Sequence, residues 1–131
     1  MKKIMIVDDN YLSAEGIEKN IDWEALNAEI IHVCYNGTSA IEAMKKEPAD
    51  LIISDIEMPD LDGISMSRQA LEINPMVKII LISAYDKFEY ARRALLLGAL
   101  DYIEKPLDYT YLIQKVYKIK RSGFLSYQIL K

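Results

Sequence analysis

Five short runs of mostly apolar, β-branched residues alternate with segments of helical periodicity in this 131-residue chain, and this pattern most constrains its fold. The first, third and fourth runs are almost continuously apolar, which is typical of parallel strands covered on both faces. The predicted strands are Ile4–Val7, Ile30–Val33, Leu51–Ser54, Lys78–Ile82 and Leu100–Ile103. Five strands alternating with five helices predict an α/β fold: a five-stranded parallel sheet with right-handed crossovers and helices on both faces.

The composition indicates one globular domain in a reducing compartment. Hydrophobic residues make up 51% of the chain, enough for a core at this length. The net charge of -4 argues against nucleic-acid binding by this segment alone. The single cysteine, Cys34, cannot form an internal disulfide, and no apolar run is long enough for a signal peptide or a membrane span. We therefore expect a cytoplasmic domain without membrane contact.

Polar side chains stand at the ends of four predicted strands. Asp8 and Asp9 follow the first strand, Asp55 the third, Ser83 the fourth and Lys105 the fifth. Parallel strands bind ligands beyond their carboxyl ends, so we expect these groups to converge. Three close carboxylates favour a hard divalent cation, magnesium or manganese, and a carboxylate beside such an ion can attack a phosphoryl group whose oxygens Ser83 and Lys105 would contact. The alternative is that the aspartates only cap helices or solubilise loops, but the match at so many strand ends disfavours it.

Four motifs carry a resemblance to a known family. They are Val7-Asp8-Asp9-Asn10; Asp50 to Asp55 with Met58-Pro59 and Gly63; Ile82-Ser83-Ala84; and Gly98 to Pro106. In this order and spacing they make residues 2–121 resemble the receiver domain of bacterial two-component response regulators. The resemblance implies the (βα)5, flavodoxin-like receiver fold, with the receiver domain over residues 1–121.

The same resemblance implies roles for the acidic residues. Asp55 would accept a phosphoryl group from a sensor histidine kinase. Asp8, Asp9, Asp55 and the backbone carbonyl of Glu57 would hold Mg²⁺, and Lys105 would pair with the phosphoryl group. The domain would promote its own phosphorylation and dephosphorylation without being a turnover enzyme on an external substrate.

It also implies a switch. Ser83 would contact the phosphoryl group, Tyr102 would change rotamer, and the bond into Pro106 would be cis. The surface of the fourth helix, fifth strand and fifth helix would then change, to form a homodimer or to release an output domain.

Two shorter stretches resemble a subgroup of the family. Ile21-Asp22-Trp23 and the segment 83–91 look like receivers that are followed by an AraC-type helix-turn-helix region. Such a region would bind DNA and control transcription. This chain stops short of it, which we expect of a truncated chain, with a stand-alone receiver as the alternative. Residues 122–131 are predicted to extend the last helix or to begin a linker to it.

Two rival functions stay open. One is a protein-interaction module whose acidic site takes no phosphate. The other is a magnesium-dependent phosphatase with an aspartyl intermediate, although its usual second acid would be Glu57 rather than an aspartate, and a region covering the substrate is lacking. Asp60 to Gly63 resembles part of a calcium loop, but Met58 and Gln69 occupy the required first and last ligand positions.

Four further residues near these motifs receive interpretations of their own. Glu57 and Tyr85 are expected near the phosphoryl group, and we hypothesise that they alter the lifetime of the phosphorylated state. His32 and Cys34 are interpreted as structural residues of the second strand.

Overall fold

The computed structural model describes the backbone of residues 1–130 and the side chains of residues 1–119. Strands and helices alternate along the chain, as the apolar pattern predicts. The strands are β1 (Lys2–Val7), β2 (Ala28–Cys34), β3 (Leu51–Asp55), β4 (Lys78–Ser83) and β5 (Asp101–Glu104). The helices are α1 (Tyr11–Lys19), α2 (Gly37–Lys46), α3 (Gly63–Ile73), α4 (Phe88–Leu97) and α5 (Tyr109–Leu130), with a 3-10 turn at Glu24–Leu26.

The sheet is fully parallel, and its strand order is β2-β1-β3-β4-β5. The predicted α/β fold is therefore confirmed. Because β2 lies on one side of β1 and β3 on the other, the direction of strand addition reverses between β1 and β3. A crevice opens at the carboxyl ends of the strands at such a point, and it is where open α/β sheets bind ligands.

The alternation of side chains along β1 shows how the two faces of the sheet are covered. Ile4 and Ile6 belong to one buried cluster, which also contains residues of α1 and α5. Met5 and Val7 belong to the other, with residues of α2, α3 and α4. Both faces of the central strands are therefore dry, and this explains the continuous apolar runs.

Several strand bounds differ from the sequence prediction by one or two residues: β1 and β2 begin two residues earlier, β2, β3 and β4 end one residue later, and β5 is displaced by one residue. Asp55 and Ser83 are the last residues of β3 and β4 rather than the first residues after them, because Asp55 pairs with Ile82 and Ser83 with Glu104. Leu100 precedes β5 instead of opening it. The two polar residues are thus held by the sheet itself, which fixes their backbones more firmly than a loop would.

The connection between α1 and β2 contains the one tryptophan. Trp23 is buried in the cluster shared with α1 and α5, and its indole Nε1 donates to the carbonyl oxygen of Ile17 at 3.3 Å. This stretch therefore packs against the core.

Asp60 and Asp62, the acids of the calcium-like stretch, bind backbone N–H groups instead. Asp62 caps α3 by accepting from Ile64 N and Ser65 N, both at 2.9 Å, while Asp60 accepts from the first turn of α2. These contacts agree with the sequence argument against a calcium loop.

Two remaining expectations concern the end of the chain and the membrane. Residues 122–131 are predicted to extend the last helix or to begin a linker. Side chains after residue 119, and the whole of Lys131, lie outside the described residues, so this stays a prediction. Among the described residues, no helix combines the length and the apolarity that a membrane crossing requires.

Candidate functional site

Three carboxylates meet at the reversal point between β1 and β3. Val7 pairs with Ser54, so the next residues of the two strands, Asp8 and Asp55, lie side by side. Asp8, Asp9 and Asp55 each offer an oxygen, and these oxygens lie within 4.8 Å of one another. Asp8 and Asp55 are buried, whereas Asp9 is exposed. The structure thus brings together the three acids that the sequence placed at one edge of the sheet.

Lys105 supplies the positive charge of this cluster. Its Nζ atom lies 3.0 Å from Asp8 Oδ2 and 3.5 Å from Asp55 Oδ2. The Lys105 backbone N–H donates to the carbonyl oxygen of Ser83 at 2.8 Å, and its peptide bond to Pro106 is cis. The lysine therefore reaches back over the ends of β1 and β3 from a backbone anchored beside β4.

The charges of the site are out of balance. Burial and the neighbouring charge of Asp8 raise the pKa of Asp55 to about 6, against the opposing effect of Lys105. Burial works against the charge of Lys105, but its contacts with Asp8 and Asp55 outweigh burial and raise the pKa of the ammonium. One ammonium therefore does not compensate these carboxylates.

The cluster meets the requirements of a divalent cation. Asp8 Oδ2 is buried and has no hydrogen-bond donor aligned on it, although the Lys105 ammonium is near. A buried carboxylate oxygen without a donor is costly. Hard, oxygen-only ligands that carry excess negative charge suit Mg²⁺ or Mn²⁺. The residues present thus fit the ion that the sequence analysis expects.

Ser83 and Tyr102 are joined through the backbone of Tyr85. Ser83 is fully buried at the end of β4, and its Oγ accepts from Tyr85 N at 3.0 Å. The Tyr102 hydroxyl, which comes from β5, donates to the carbonyl oxygen of the same Tyr85. A movement of the loop between β4 and α4 would therefore disturb both contacts at once.

Lys87 and Tyr90, which the sequence motifs left without a role, form a charged and aromatic cluster with Glu57 and Tyr85. Lys87 Nζ lies 4.0 Å from Glu57 Oε1 and 5.0 Å from the ring centroids of both Tyr85 and Tyr90. Burial and a hydrogen bond with Glu57 raise the pKa of Tyr90. The only sequence signal for this cluster was the aromatic and charged composition of segment 85–90. Nothing in that segment indicates that it would contact Glu57, which lies on another loop. This cluster joins the loop after β3 to the loop after β4.

His32 and Cys34 lie on β2, and the Cys34 carbonyl oxygen accepts from Asp8 N at 3.0 Å. His32 Nε2 is 2.9 Å from the carbonyl oxygen of Glu47. Burial raises the pKa of the Cys34 thiol to about 11, so the thiolate is scarce at neutral pH. Both residues have the structural character that the sequence analysis gave them.

Comparisons of the sequence with known proteins all indicate the same family. The family described as response regulator receiver domain matches residues 4–117. The chain is 31% identical over 119 residues to YesN, an uncharacterized transcriptional regulatory protein of Bacillus subtilis. That match covers 91% of this chain but 32% of YesN, and the chain spans about half of DegU from Brevibacillus brevis, another relative.

Solved structures with similar sequences also share the fold. The REC domain of AraT, a response regulator from Geobacillus stearothermophilus, is 32% identical, with a TM-score of 0.85 over 93% of this chain and 97% of that one. A two component transcriptional regulator AraC from Clostridium phytofermentans is 31% identical, with a TM-score of 0.82 and full coverage of both chains. A chain of the CheX–CheY–BeF3–Mg²⁺ complex from Borrelia burgdorferi is 28% identical to this chain, with a TM-score of 0.77 over 90% of this chain and 88% of that one.

Proposed function

The chain belongs to the response regulator receiver domain family, and on this premise we propose that Asp55 accepts a phosphoryl group from a sensor histidine kinase. The observation that carries the proposal is the position of Asp55. It is buried at the reversal point of the sheet, with Asp8 on one side and the Lys105 ammonium 3.5 Å away. Among the described carboxylates, only Asp55 and its neighbour Asp8 have both a buried acidic neighbour and a lysine within 4.0 Å.

The transfer needs an ionised nucleophile and a neutralised phosphoryl group. A pKa of about 6 leaves most of Asp55 ionised at pH 7.5. One carboxylate oxygen attacks the phosphorus, the bond to the histidine nitrogen breaks, and the imidazole leaves with that electron pair and takes up a proton. Lys105 holds charge beside the acceptor, so the transferred group meets a cation as it arrives.

The proposed metal ligands are Asp8, Asp9, Asp55 and the backbone carbonyl of Glu57. When bound, Mg²⁺ neutralises charge that develops on the phosphoryl oxygens. Support comes from the close approach of the three carboxylates and from the magnesium named in the CheX–CheY complex.

The switch follows from the shared contacts of Tyr85. A phosphoryl group on Asp55 offers new acceptor oxygens, and the Ser83 hydroxyl turns toward them. The hydrogen bond from Tyr85 N to Ser83 Oγ then breaks. The loop between β4 and α4 shifts, and with it the Tyr85 carbonyl that accepts from the Tyr102 hydroxyl. Only differential contacts of this kind bias the active state.

The output surface we propose is α4, β5 and α5. Phe88, Leu95 and Leu96 of α4 are 81%, 78% and 69% exposed, an unusual set of bare apolar side chains. We propose that this face forms a homodimer or releases an output region. We propose that such a region is AraC-type, binds DNA and acts in the cytoplasm; the names of YesN, a transcriptional regulatory protein, and of the Clostridium two component transcriptional regulator AraC support a role in transcription.

The first test is the intact mass of the 131-residue chain after incubation with Mg²⁺ and acetyl phosphate. We expect a gain of one phosphoryl group, and no gain when EDTA replaces Mg²⁺. A folded protein that gains nothing would instead support the phosphate-independent interaction module. Steady turnover of para-nitrophenyl phosphate would support the phosphatase.

A second test concerns the lifetime of the phosphorylated state. Glu57→Ala and Tyr85→Ala are each expected to change the rate of phosphate release at least twofold, since both side chains contact Lys87 beside the site. Phosphate release is followed after the phosphodonor is removed. Glu72→Ala, an exposed change on α3, is the matched control. Rates equal to that of the control would remove the hypothesis.

A further inference from the structure

The loop between β3 and α3, residues 56–62, carries the proposed carbonyl ligand Glu57. Both ends of this loop are held. Gly63 N donates to the carbonyl oxygen of Ile56 at 2.8 Å. A Cβ on Gly63 would lie 2.0 Å from the Asp55 carbonyl oxygen, so the start of α3 packs directly on the end of β3. The middle of the loop needs a separate anchor.

Asp60 provides that anchor by reaching across to α2. Its Oδ2 accepts from Thr38 N at 3.0 Å, and its Oδ1 accepts from Gly37 N at 3.3 Å. Hydrogen bonds from the Thr38 side chain and backbone lower the pKa of Asp60 to about 2. The carboxylate also faces the positive end of the helix dipole.

The neighbouring residue makes a second contact with the same turn of α2. A Cβ on Gly37 would lie 2.4 Å from the Leu61 carbonyl oxygen, so the backbones of Gly37 and Leu61 are in direct contact. Two consecutive loop residues thus hold the first turn of α2. That turn is itself fixed, because Asn36 caps it through Ser39 N at 2.8 Å and Ala40 is fully buried.

We propose that Asp60 is a positioning residue of the metal site: by tying the loop to α2, it holds the Glu57 carbonyl ready for a divalent cation. The inference rests on the proposed function, which makes this carbonyl a ligand. A ligand on a tethered loop loses less conformational freedom when the ion binds than one on a free loop. Asp60 itself is three residues from Glu57 along the chain and is not among the proposed ligands.

The test is the dissociation constant of Mg²⁺, measured by calorimetric titration of the 131-residue chain. Asp60→Ala is expected to weaken Mg²⁺ binding about tenfold, an energy of about 1.4 kcal/mol. Asp86→Ala is the matched control, because it removes one exposed carboxylate from the loop after β4. Asp86→Ala should change the Mg²⁺ dissociation constant by less than about twofold, because salt screens the attraction between a distant exposed charge and the ion.

Gly37→Ala gives a charge-neutral variant of the same experiment. Its new methyl group would push the Leu61 carbonyl away, so Mg²⁺ binding should weaken severalfold without any change of net charge. Asp60→Asn, which keeps one accepting oxygen, should fall between the wild type and Asp60→Ala. This milder change also serves if Asp60→Ala does not fold.

Thermal unfolding in EDTA separates positioning from mere support of α2. If Asp60→Ala lowers Tm while the Mg²⁺ dissociation constant stays equal to that of Asp86→Ala, the proposal is overturned. A wild-type chain that binds no Mg²⁺ overturns the proposed function, and this inference with it. Weaker binding in both Asp60→Ala and Gly37→Ala, with Asp86→Ala near the wild type, supports it.

Discussion

Asp55→Asn is expected to abolish phosphoryl incorporation completely and, without metal, to stabilise the protein by about 1–3 kcal/mol at pH 8. Incorporation is lost because the amide is no nucleophile. The stability gain arises because burial and Asp8 make ionisation of Asp55 costly in the folded state. An asparagine at this position can still accept from Lys105.

The pH dependence of this gain follows from the direction of the pKa shift. The folded pKa of Asp55, about 6, lies above the ordinary value of 3.8. The protonated carboxyl therefore favours the folded state at low pH, and this contribution is lost as pH rises through 6. The advantage of Asp55→Asn should be small below pH 4, grow between about pH 4 and 6, and level off above pH 7.

Urea unfolding in EDTA across this pH range, together with intact mass at pH 7.5, checks both parts. Asp86→Asn is the control, and we expect it to change stability by less than about 0.5 kcal/mol. A phosphoryl gain that persists in Asp55→Asn would mean that another residue is the acceptor. A gain in stability that is independent of pH would mean that charge at Asp55 is not its cause.

Lys105→Met is expected to lower the free energy of unfolding by about 3 kcal/mol at pH 8 in the absence of metal. The ammonium is the only cation within 4.0 Å of Asp8 and Asp55 among the described residues, and its side chain is 19% exposed. Its removal leaves buried carboxylates without a positive partner. Phosphorylation at neutral pH should also slow, because the pKa of Asp55 rises further when Lys105 no longer lowers it.

The loss in Lys105→Met should shrink as pH falls through 6. Lys105 stays charged throughout this range, since its pKa is raised above 10.5, so Asp55 protonation sets the trend. Adding Asp55→Asn should restore much of the stability, a non-additivity expected of groups in contact. Lys45→Met, an exposed change on α2, is the control. Equal losses at pH 4.5 and pH 8 would contradict this account.

The sequence predicted the fold class because burial leaves a local trace. A strand covered on both faces, such as β3, needs an unbroken apolar run, and a helix packed on one side needs apolar residues every three to four positions. The same logic placed Asp8, Asp9 and Asp55 at one edge of the sheet, since parallel strands all point their carboxyl ends the same way. The motifs between Val7 and Pro106 then indicated the family.

The ends of the elements were less accurate. Asp55 and Ser83 are strand residues because they pair with neighbouring strands, and a polar residue that pairs looks locally like one that opens a loop. Leu100 looks like a strand residue for the opposite reason, since it is apolar yet precedes β5. Pairing decides these boundaries, and pairing partners lie far away in the sequence.

The sequence alone thus determined which strands are covered on both faces, which carboxylates share an edge and which family the chain resembles, because these depend on short-range periodicity and on motif order. The tertiary structure alone decided that Lys105 reaches both Asp8 and Asp55, that Lys87 joins two loops, and that Asp60 holds the first turn of α2 from 22 residues away. Each of these contacts is set by strand order and loop path, which bring together side chains whose local sequence carries no sign of the partner.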